Sequence, residues 1–404
     1  MKRKPFLPII VGTDINAYNM AISFHEEYNI HPVLVGKGVL PFTNYSTIPH
    51  KIEYDKNLAE PQEFANILIR VAKKYKKKAD KLLLIGTNDL YVRLIIENRD
   101  VLAEHFVFNY LDEDLMNRLQ FKANFYKLCA KYGIDAPTTF FHSCATDAIF
   151  DEDMMYPVII KPSNGIEYSR NPFEGQQKVF KVESQQELQN VIQMVYNSGY
   201  RDELIIQDYI PGEDTAMWDS VVYMSSKGKP QIVTFAQVVL QEHTVTAIGN
   251  YTALISRYNE EMMKKLVGFL EAVGYKGYAN FDLKYDERDG KFKVFEVNIR
   301  QGRSSYYINA MGSNLARNFV DDLIENKDKP CAYLEKEVLF SVVPKIVLRK
   351  FVPDVDVQRD IRRLIKEGKL VNPLFYKQDK HLKRKFYLAA RQVNYYKKYK
   401  ENVW

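Results

Sequence analysis

Short apolar runs that end in glycine open the chain and alternate with amphipathic stretches. Residues 8–14, Pro-Ile-Ile-Val-Gly-Thr-Asp, predict a buried strand, a helical stretch continues to about Tyr28, and residues 32–36 predict a second strand. A third run, residues 82–89, repeats the Gly-Thr ending. Parallel strands that end in glycine and small polar residues form a crevice at their carboxyl edge. We therefore expect a doubly wound α/β domain over residues 1–117.

Mixed helices and strands follow this domain. Residues 156–162 predict a strand that brings Lys161 to the start of a loop over residues 163–175. Ser184-Gln185-Gln186-Glu187 is a capping box, which predicts a helix that ends near Gly199. Further helices are predicted at 112–120, 122–132, 259–273, 313–327 with Ser313 as its cap, 357–365 and 380–400, and further strands at 177–182, 203–210 and 215–257.

Residues 277–303 predict a β-hairpin with one apolar and one polar face. If the turn is Arg288-Asp289-Gly290, with Gly290 left-handed, Asp282 lies opposite Glu296. Two opposed carboxylates repel each other, and Mg²⁺ binds carboxylate and amide oxygens. The hairpin therefore predicts a divalent-cation site, with a solvated sheet face as the alternative. The side chains on the polar face are those of Asn280, Asp282, Lys284, Glu296, Asn298 and Arg300.

Composition places the chain among multi-domain globular proteins. A length of 404 residues exceeds one typical domain, and 46% hydrophobic with 27% charged residues is ordinary for a soluble protein. No stretch approaches the roughly 20 apolar residues that span a bilayer, and the N-terminus does not resemble a signal peptide. Cys129, Cys144 and Cys331 are unclustered, which argues against a disulfide framework or a structural zinc site and fits a reducing cytoplasm.

The net charge of +6 is concentrated near the C-terminus. Residues 341–404 contain 17 Lys and Arg against 6 Asp and Glu. Such a block attracts anionic lipid or nucleic acid, although a solvated helix face is the commoner explanation. Tyrosines and Trp404 among the lysines fit a membrane interface and, equally, a helix packed on the main body.

The order of these features resembles the ATP-grasp fold. Lys122 lies near a helix start, Lys161-Pro162 ends a strand, Asp214 follows a strand and turn, and the hairpin carries Asp282 and the segment 296–300. The resemblance covers about residues 5–330. It implies an α/β and α+β architecture with an N-terminal Rossmann-like domain at 1–117, two α+β subdomains at 118–210 and 211–330 that clasp ATP, and a basic helical region at 331–404.

Within that fold, residues 161–168, 173–175 and 296–300 resemble carboxylate–amine ligases, the branch that includes D-aspartate ligases of peptidoglycan cross-bridge synthesis. This resemblance implies amide formation through an acyl phosphate, with ATP and two Mg²⁺ ions as cofactors. The implied substrates are the β-carboxylate of D-aspartate and the lysine side-chain amine of a UDP-linked peptidoglycan precursor. The implied location is the cytoplasm. The basic region would help to hold an anionic nucleotide-sugar substrate or would associate peripherally with the inner membrane surface. No nucleic-acid partner is expected.

The resemblance also implies roles for individual residues. Arg300 and Lys161 would be catalytic, because they would stabilise the transferring phosphoryl group, and Asp282, Glu296 and Asn298 would bind the metal. The residues implied to hold ATP are Lys122, Lys161, Ser163, Gly165, Gln207, Asp208, Tyr209, Ile210 and Asp214. Those implied to meet the substrate are Gly12, Thr13, Asp14, Arg303, Ser304 and Ser305.

One departure from the family pattern and two alternative functions bear on this expectation. Asn280 stands where some relatives carry Arg, which argues against D-alanyl-D-alanine ligase activity. Another ATP-grasp ligase, for a different amino acid or a dipeptide, would share every ATP residue. A non-catalytic nucleotide-binding protein would use the basic region to hold RNA or a membrane. His25, His31, His142 and His243 are expected to be structural or surface residues, with substrate contact as the alternative for His243.

Overall fold

A computed structural model describes residues 4–145, 149–244 and 249–402. Trp404 lies outside the described residues. The chain divides into two compact units. The first unit comprises Met1–Gln120, Glu213–Leu283 and Glu296–Trp404, and the second comprises Phe121–Gly212 and Lys284–Phe295. Each has its own buried apolar core. The four-segment division at 117, 210 and 330 stays a prediction.

The N-terminal part of the first unit is the expected α/β layer. Its elements are β1 (Lys4–Val11), α1 (Ile15–Tyr28), β2 (Val33–Gly36), β3 (Lys51–Tyr54), α2 (Pro61–Tyr75), β4 (Ala79–Gly86), α3 (Asp89–Glu97), α4 (Arg99–Ala103) and α5 (Glu113–Gln120). The four strands are parallel in the order β3-β2-β1-β4. The apolar runs of β1, β2 and β4 are buried because helices cover a parallel sheet on both faces.

Gly12 fixes the shape of the crevice at the carboxyl edge of this sheet. Its φ of +137° is one that residues with a side chain rarely adopt, and a Cβ atom there would lie 1.9 Å from Thr87 Oγ1. The Thr87 hydroxyl in turn donates to the Val11 carbonyl at 2.8 Å. The two Gly-Thr endings therefore pack against each other and require a glycine at position 12.

The second unit is built on an antiparallel sheet. Its elements are α6 (Lys122–Lys131), β5 (Thr139–Ser143), β6 (Val158–Pro162), α7 (Gly165–Arg170), β7 (Phe180–Val182), α8 (Gln185–Asn197) and β8 (Glu203–Asp208). The strand order is β5-β8-β6-β7. The predicted cap of α8 is confirmed, since Ser184 Oγ accepts from the Glu187 N–H at 3.3 Å. The expectation of a loop over 163–175 was wrong in part, because Asn164 caps a short helix there at 3.1 Å.

The rest of the first unit is built on a second, largely antiparallel sheet. Its elements, with the tip of one hairpin in the second unit, are a 3-10 turn (Asp214–Ala216), β9 (Met217–Met224), β10 (Pro230–Val233), β11 (Phe235–Gln241), β12 (Tyr251–Arg257), α9 (Glu260–Ala272), β13 (Gly277–Asp286), β14 (Lys291–Asn298), α10 (Tyr307–Ala310), α11 (Leu315–Leu323), β15 (Ala332–Tyr333), β16 (Leu339–Ser341), α12 (Lys345–Phe351), α13 (Val355–Lys366), β17 (Leu370–Val371), a 3-10 turn (Pro373–Phe375) and α14 (Leu382–Glu401). The main strand order is β14-β13-β9-β11-β12-β16-β17.

Two local expectations in this region needed correction. The hairpin between β13 and β14 has four connecting residues, 287–290, and not three. Gly290 is left-handed as predicted, with φ +70°, and its N–H donates to the Asp286 carbonyl at 2.8 Å. Asn314, and not Ser313, caps α11, since its Oδ1 accepts from the Ala316 N–H at 2.8 Å.

The basic C-terminal region is part of the first unit's core. Leu348, Ile361 and Leu388 are fully or almost fully buried in the same apolar cluster as α1. Among the described residues, no helix has both the length and the apolar character that a membrane crossing requires. The region is therefore not a detachable tail, because removing it would expose the apolar surface it covers.

Candidate functional site

The polar face of the hairpin brings two carboxylates into contact. Asp282 and Glu296 are half-buried, and their side chains share a hydrogen bond. Asn298 Nδ2 donates to Asp282 Oδ2 at 3.0 Å, and the Tyr251 hydroxyl also bonds to Asp282. Burial, reinforced by the carboxylates of Glu296 and Asp219, raises the pKa of Asp282 well above its usual range.

This donor set fits a magnesium ion that also binds substrate phosphates. In the part of the chain that the structure describes, no three His, Cys, Asp or Glu side chains form a complete metal-binding group by themselves. Mg²⁺ does not need one, because it commonly takes one or two carboxylates and completes its shell with water and phosphate oxygens. Two buried carboxylates in contact are favourable only with a proton or a cation between them. Asp282, Glu296 and Asn298 therefore suit a cation.

Asp219 lies on the neighbouring strand β9, beside Asn280, and was not predicted from the sequence. It is fully buried on β9, where it accepts from Asn280 Nδ2 at 2.6 Å and from the Tyr307 hydroxyl at 2.9 Å. Burial raises its pKa to about 6, although Asn280, Tyr307 and Arg300 favour the charged form. Asn280 thus serves to bind an internal carboxylate. Only the pairing of distant strands reveals this contact.

Arg300 points from the end of the hairpin to the N-terminal sheet. Its Nη2 lies 3.0 Å from Asp89 Oδ2 and 3.2 Å from Asn298 Oδ1. Asp89 is the first residue of α3, two residues after the second Gly-Thr ending, and is 45% exposed. Arg300, the predicted catalytic arginine, therefore bonds to the candidate metal ligand Asn298 and to Asp89 at the carboxyl edge of the N-terminal sheet.

The crevice and the segment 300–303 lie together although almost 300 residues separate them in sequence. Asn16 Nδ2 donates to the carbonyls of Thr87 and Gln301, both at 2.8 Å, and Asn19 Nδ2 donates to the Arg303 carbonyl at 2.8 Å. Burial raises the pKa of Asp14, and the charges of Arg303 and Arg300 oppose that shift. Asp14 in the segment 12–14 therefore lies close enough to Arg300 and Arg303 to feel their charges.

A cleft of about 380 Å³ opens at this carboxyl edge. Its walls include Lys37 and Tyr91 beside the predicted substrate residues. Asp14 also has a structural role, because its Oδ1 accepts from the Ala17 N–H at 2.9 Å and caps α1. The full lining is Gly12, Thr13, Asp14, Lys37, Gly38, Val39, Leu40, Asn88 and Tyr91.

Ser304 and Ser305 are buried behind the arginines. Ser305 is completely inaccessible, and its Oγ accepts from the Gly302 N–H at 2.7 Å. Ser304 is 3% exposed. The Ser305 hydroxyl therefore supports the loop that presents Arg303, and direct contact of either serine with a substrate stays a prediction.

In the second unit, Lys161 is connected to a buried polar network. Its Nζ lies 3.5 Å from Gln207 Oε1, and Gln207 Nε2 donates to the Tyr126 hydroxyl at 2.9 Å and to Thr139 Oγ1 at 2.8 Å. Gln207 is 2% exposed. The Gln207 amide can donate to the two hydroxyl oxygens and accept from Lys161, whereas a carboxylate could only accept. Lys122 is the first residue of α6.

The neighbouring residues of the second unit have partners within it. Asp208 is bound through both carboxylate oxygens by Arg288, with Nη1–Oδ1 at 3.1 Å. The Tyr209 N–H donates to the Pro157 carbonyl at 3.2 Å, so a contact of Tyr209 with adenine would use its carbonyl oxygen. Ile210 is buried. The Ser163 N–H donates to the Glu203 carbonyl at 2.9 Å, and Gly165 opens α7.

Asp214 is held by a short network in the first unit. Its carboxylate accepts from the Gln241 N–H at 3.0 Å and from Gln241 Nε2 at 2.7 Å, and His243 Nε2 lies 3.0 Å away. The His243 ring packs edge-on against Tyr399 of α14, with ring centroids 5.0 Å apart. The Tyr399 hydroxyl donates to the Gln241 carbonyl at 2.6 Å. His243 is therefore a partner of the predicted ribose-binding acid.

Comparisons with known proteins fit this geometry. A family model described as an ATP-grasp domain matches residues 120–304. A D-aspartate ligase from Enterococcus faecium (strain Aus0004) is 33% identical over 411 residues, which cover 99% of this chain and 97% of the relative. The chain belongs to the ATP-grasp ligases. The matched range includes Lys122, Lys161, Asp214 and the hairpin residues, while the crevice residues 12–14 lie outside it.

Solved structures show the same ATP-grasp architecture. An L-amino acid ligase from Bacillus licheniformis matches with 16% identity and a TM-score of 0.55, over 80% of this chain and 75% of that chain. The biotin carboxylase domain of a Hydrogenobacter thermophilus 2-oxoglutarate carboxylase, solved with MgADP, ADP and bicarbonate, matches with 13% identity and a TM-score of 0.57, over 80% and 70%. The predicted ATP-grasp fold is confirmed, and this ATP-grasp ligase is an ATP-dependent carboxylate–amine ligase.

Proposed function

We propose that this ligase joins the β-carboxylate of D-aspartate to the lysine side-chain amine of a UDP-linked peptidoglycan precursor. The observation that carries the proposal is the 33% identity to a D-aspartate ligase along 99% of the chain. Asn280 is neutral and donates to Asp219. It stands where some relatives of the resembled family carry an arginine, which argues against D-alanyl-D-alanine ligase activity and so supports the proposal further.

The proposed reaction has two steps. A carboxylate oxygen of the amino acid forms a bond to the γ-phosphorus of ATP as the bond to the bridging oxygen breaks, which yields an acyl phosphate and ADP. The amine nitrogen then attacks the acyl carbon, the bond to the phosphate oxygen breaks, and the departing phosphate carries away the amine proton. Positioning and charge neutralisation dominate the catalysis of phosphoryl transfer, so no protein nucleophile is required.

In this proposal Asp282, Glu296 and Asn298 would hold the Mg²⁺ ions. Bound Mg²⁺ neutralises charge on the transferring phosphoryl group. Arg300, already oriented by Asp89 and Asn298, donates to the developing charge on the transferring group. Arg303 and Asp14 supply charges of opposite sign for the amino acid, whose ammonium and two carboxylates need both.

The nucleotide in this proposal is bound by residues with different tasks. Lys122 and Lys161 meet the phosphates, with Ser163 and Gly165 in the covering segment. Tyr209 and Ile210 meet the adenine through backbone groups, beside Gln207 and Asp208. Asp214 accepts from the ribose hydroxyls. The hydrogen bond between Lys161 and Gln207 supports the first assignment, because it directs a cation to the end of β6.

The test is ADP formation with a panel of amino acids and the lysine-containing UDP-linked pentapeptide precursor, with product mass measured alongside. We expect ADP release with D-aspartate and a product heavier by one dehydrated aspartate. L-aspartate, D-alanine and D-glutamate should give no product. Equal turnover of several amino acids, or turnover of an L-amino acid in place of D-aspartate, would contradict the proposal.

A matched pair of variants tests the metal ligands in the same assay. Asp282→Asn keeps the side-chain shape but removes the charge, and ADP formation should fall by at least about 10²-fold. Asp289→Asn, at the exposed hairpin turn, makes the same chemical change and should leave turnover unchanged. Equal rates for the two variants would remove the metal assignment.

A further inference from the structure

Helix α14 has two different apolar faces. One face is buried in the first unit through Arg384, Leu388, Tyr395 and Tyr399, each 1–3% exposed. The opposite face carries a second apolar row. The spacings of four, three and four residues place that row on one side of the helix. We call it the outer stripe: Leu382, Phe386, Ala389 and Val393.

The outer stripe is a row of apolar side chains that are mostly exposed to solvent. Leu382 is 75% exposed, Phe386 85% and Val393 72%. Single apolar side chains on a surface are normal, but a continuous row marks an interaction site. Within the described residues no other part of the chain covers these three side chains.

Charges around the stripe indicate the chemistry of the partner. Lys383 and Lys397 lie to one side of it, Lys385 lies to the other, and Lys400 lies at its end, all four exposed. The helix contains seven basic residues and one acidic residue, Glu401. An apolar row between lysines is the pattern of a helix that lies in the plane of a membrane interface.

We propose that the outer stripe docks on the surface of an anionic lipid bilayer. Phe386, Leu382 and Val393 enter the boundary between headgroups and acyl chains, and the flanking lysines meet the anionic headgroups. At about 1.5 Å per residue the 20-residue helix extends for about 30 Å, long enough to hold both sets along one surface. This inference does not depend on the proposed substrate.

Two other occupants fit the surface less well. A second copy of α14 packed on the stripe would bring the lysines of both copies together, which is unfavourable. Single-stranded RNA uses aromatic rings as stacking platforms, but three of the four stripe residues are aliphatic. An anionic bilayer satisfies the apolar row and the lysines at the same time.

The helix is already formed and fixed on the protein, so binding requires no folding of a tail. Arg384 Nε lies 2.9 Å from Asp379 Oδ2, and the Tyr399 hydroxyl bonds to Gln241. Deletion of the basic region would also remove core residues. Point changes on the outer stripe are therefore the informative variants.

The experiment is sedimentation of the full chain with vesicles of phosphatidylcholine alone or of phosphatidylcholine mixed with phosphatidylglycerol. We expect binding to the mixed vesicles only, and binding that weakens as salt rises. Phe386→Asp and Val393→Asp should each lower the partition coefficient at least about tenfold. Lys383→Gln combined with Lys385→Gln should lower it about fivefold for each lysine.

Val355→Asp is the matched control. Val355 is 70% exposed at the start of α13, where an acidic residue also favours the helix dipole, so vesicle binding should not change. Melting temperatures confirm that each variant is folded. Four results would overturn the proposal: no vesicle binding, equal binding to neutral vesicles, equal effects of Phe386→Asp and Val355→Asp, or dimers that Phe386→Asp dissociates without any vesicle binding.

Discussion

Arg300 donates from Nε and Nη2 to the same carboxylate oxygen of Asp89, at 3.2 and 3.0 Å. The pair connects the end of the hairpin to the first turn of α3. The guanidinium also reaches Asn298 Oδ1 at 3.2 Å, so one planar group contacts the crevice and a proposed metal ligand. An ammonium group lacks this fork geometry, and Lys cannot make the same set of bonds.

Arg300→Lys should therefore lower kcat much more than it changes the KM for ATP. We expect a fall in kcat of about 10²–10³-fold, the effect of losing an oriented donor to a developing charge. The positive charge remains and Lys122 and Lys161 are unchanged, so ground-state binding of ATP should be largely kept. Steady-state ADP formation with varied ATP measures both constants.

Arg317→Lys is the control for this change. Arg317 donates from the same two atoms, Nε and Nη2, but to the two different carboxylate oxygens of Glu27, at 2.8 Å each, and is 39% exposed. Its replacement should leave kcat within about twofold, because partly exposed ion pairs contribute little. If the two variants lose activity equally, Arg300 acts through stability and not through the transferring group.

Magnesium binding should be linked to proton release at Asp282. In the metal-free chain burial and neighbouring carboxylates raise the pKa of Asp282 well above its usual range, so the group holds its proton to higher pH. A metal ion needs the carboxylate, and binding therefore displaces the proton. Mg²⁺ affinity should therefore increase as pH rises through the raised pKa of Asp282.

Calorimetric titration of Mg²⁺ in two buffers of different ionisation enthalpy measures the released protons. Asp282→Asn should abolish the release, and Asp289→Asn should retain it. An affinity that does not change with pH, together with identical heats in both buffers, would show that Asp282 is already charged or does not bind the metal.

Tyr399 supports the proposed ribose acid from α14. Tyr399→Phe removes a hydroxyl that meets Gln241 and Thr252 Oγ1, the latter at 2.7 Å, while the ring against His243 remains. The segment that holds Asp214 should then loosen. We expect a higher KM for ATP with little change in kcat, and a loss of about 1–3 kcal/mol in the free energy of unfolding from the unpaired buried partner.

Tyr396→Phe on the same helix provides the comparison. The Tyr396 hydroxyl accepts from Lys350 at an exposed position, at 2.9 Å, so neither the KM for ATP nor the free energy of unfolding should change measurably. A change in kcat alone after Tyr399→Phe would place this helix in the chemistry and not in nucleotide binding.

Features set by neighbouring residues were predictable from the sequence, whereas features set by distant pairing were not. Three predicted features depend on short spacings within one element or one hairpin: the cap Ser184, the apolar strands that end at Gly12 and Gly86, and the pair Asp282 and Glu296. β3 was not predicted, because it has only four residues, and it is held in place by its pairing with β2.

The site contacts that were not predicted have the same explanation. Asp219 meets Asn280 from 61 positions away, and His243 meets Asp214 from 29 positions away. Neither residue belongs to a local motif, and a single Asp or His in a strand-rich segment is common. Their roles follow only from the order of strands in the second sheet, which places β9 beside β13 and β11.

The buried pair of Arg384 and Asp379 should be a major support of the C-terminal region. Both side chains are 1% exposed, and Asp379 also accepts from the Tyr18 hydroxyl at 3.0 Å, Ser46 Oγ at 2.7 Å and the Thr47 N–H at 3.0 Å. Arg384→Met keeps much of the volume but leaves a buried carboxylate without its cation. We expect the free energy of unfolding to fall by about 3–5 kcal/mol.

Urea unfolding monitored by circular dichroism measures this loss, with Lys385→Met as the control on the adjacent exposed position. That change removes the same charge type from solvent and should alter the free energy of unfolding by less than about 0.5 kcal/mol. The Arg384 guanidinium also lies 4.1 Å from the centre of the Tyr18 ring. If the free energy of unfolding hardly changes, the donors of Tyr18, Ser46 and Thr47 are sufficient to stabilise Asp379. The ion pair would then be dispensable for holding α14 against α1.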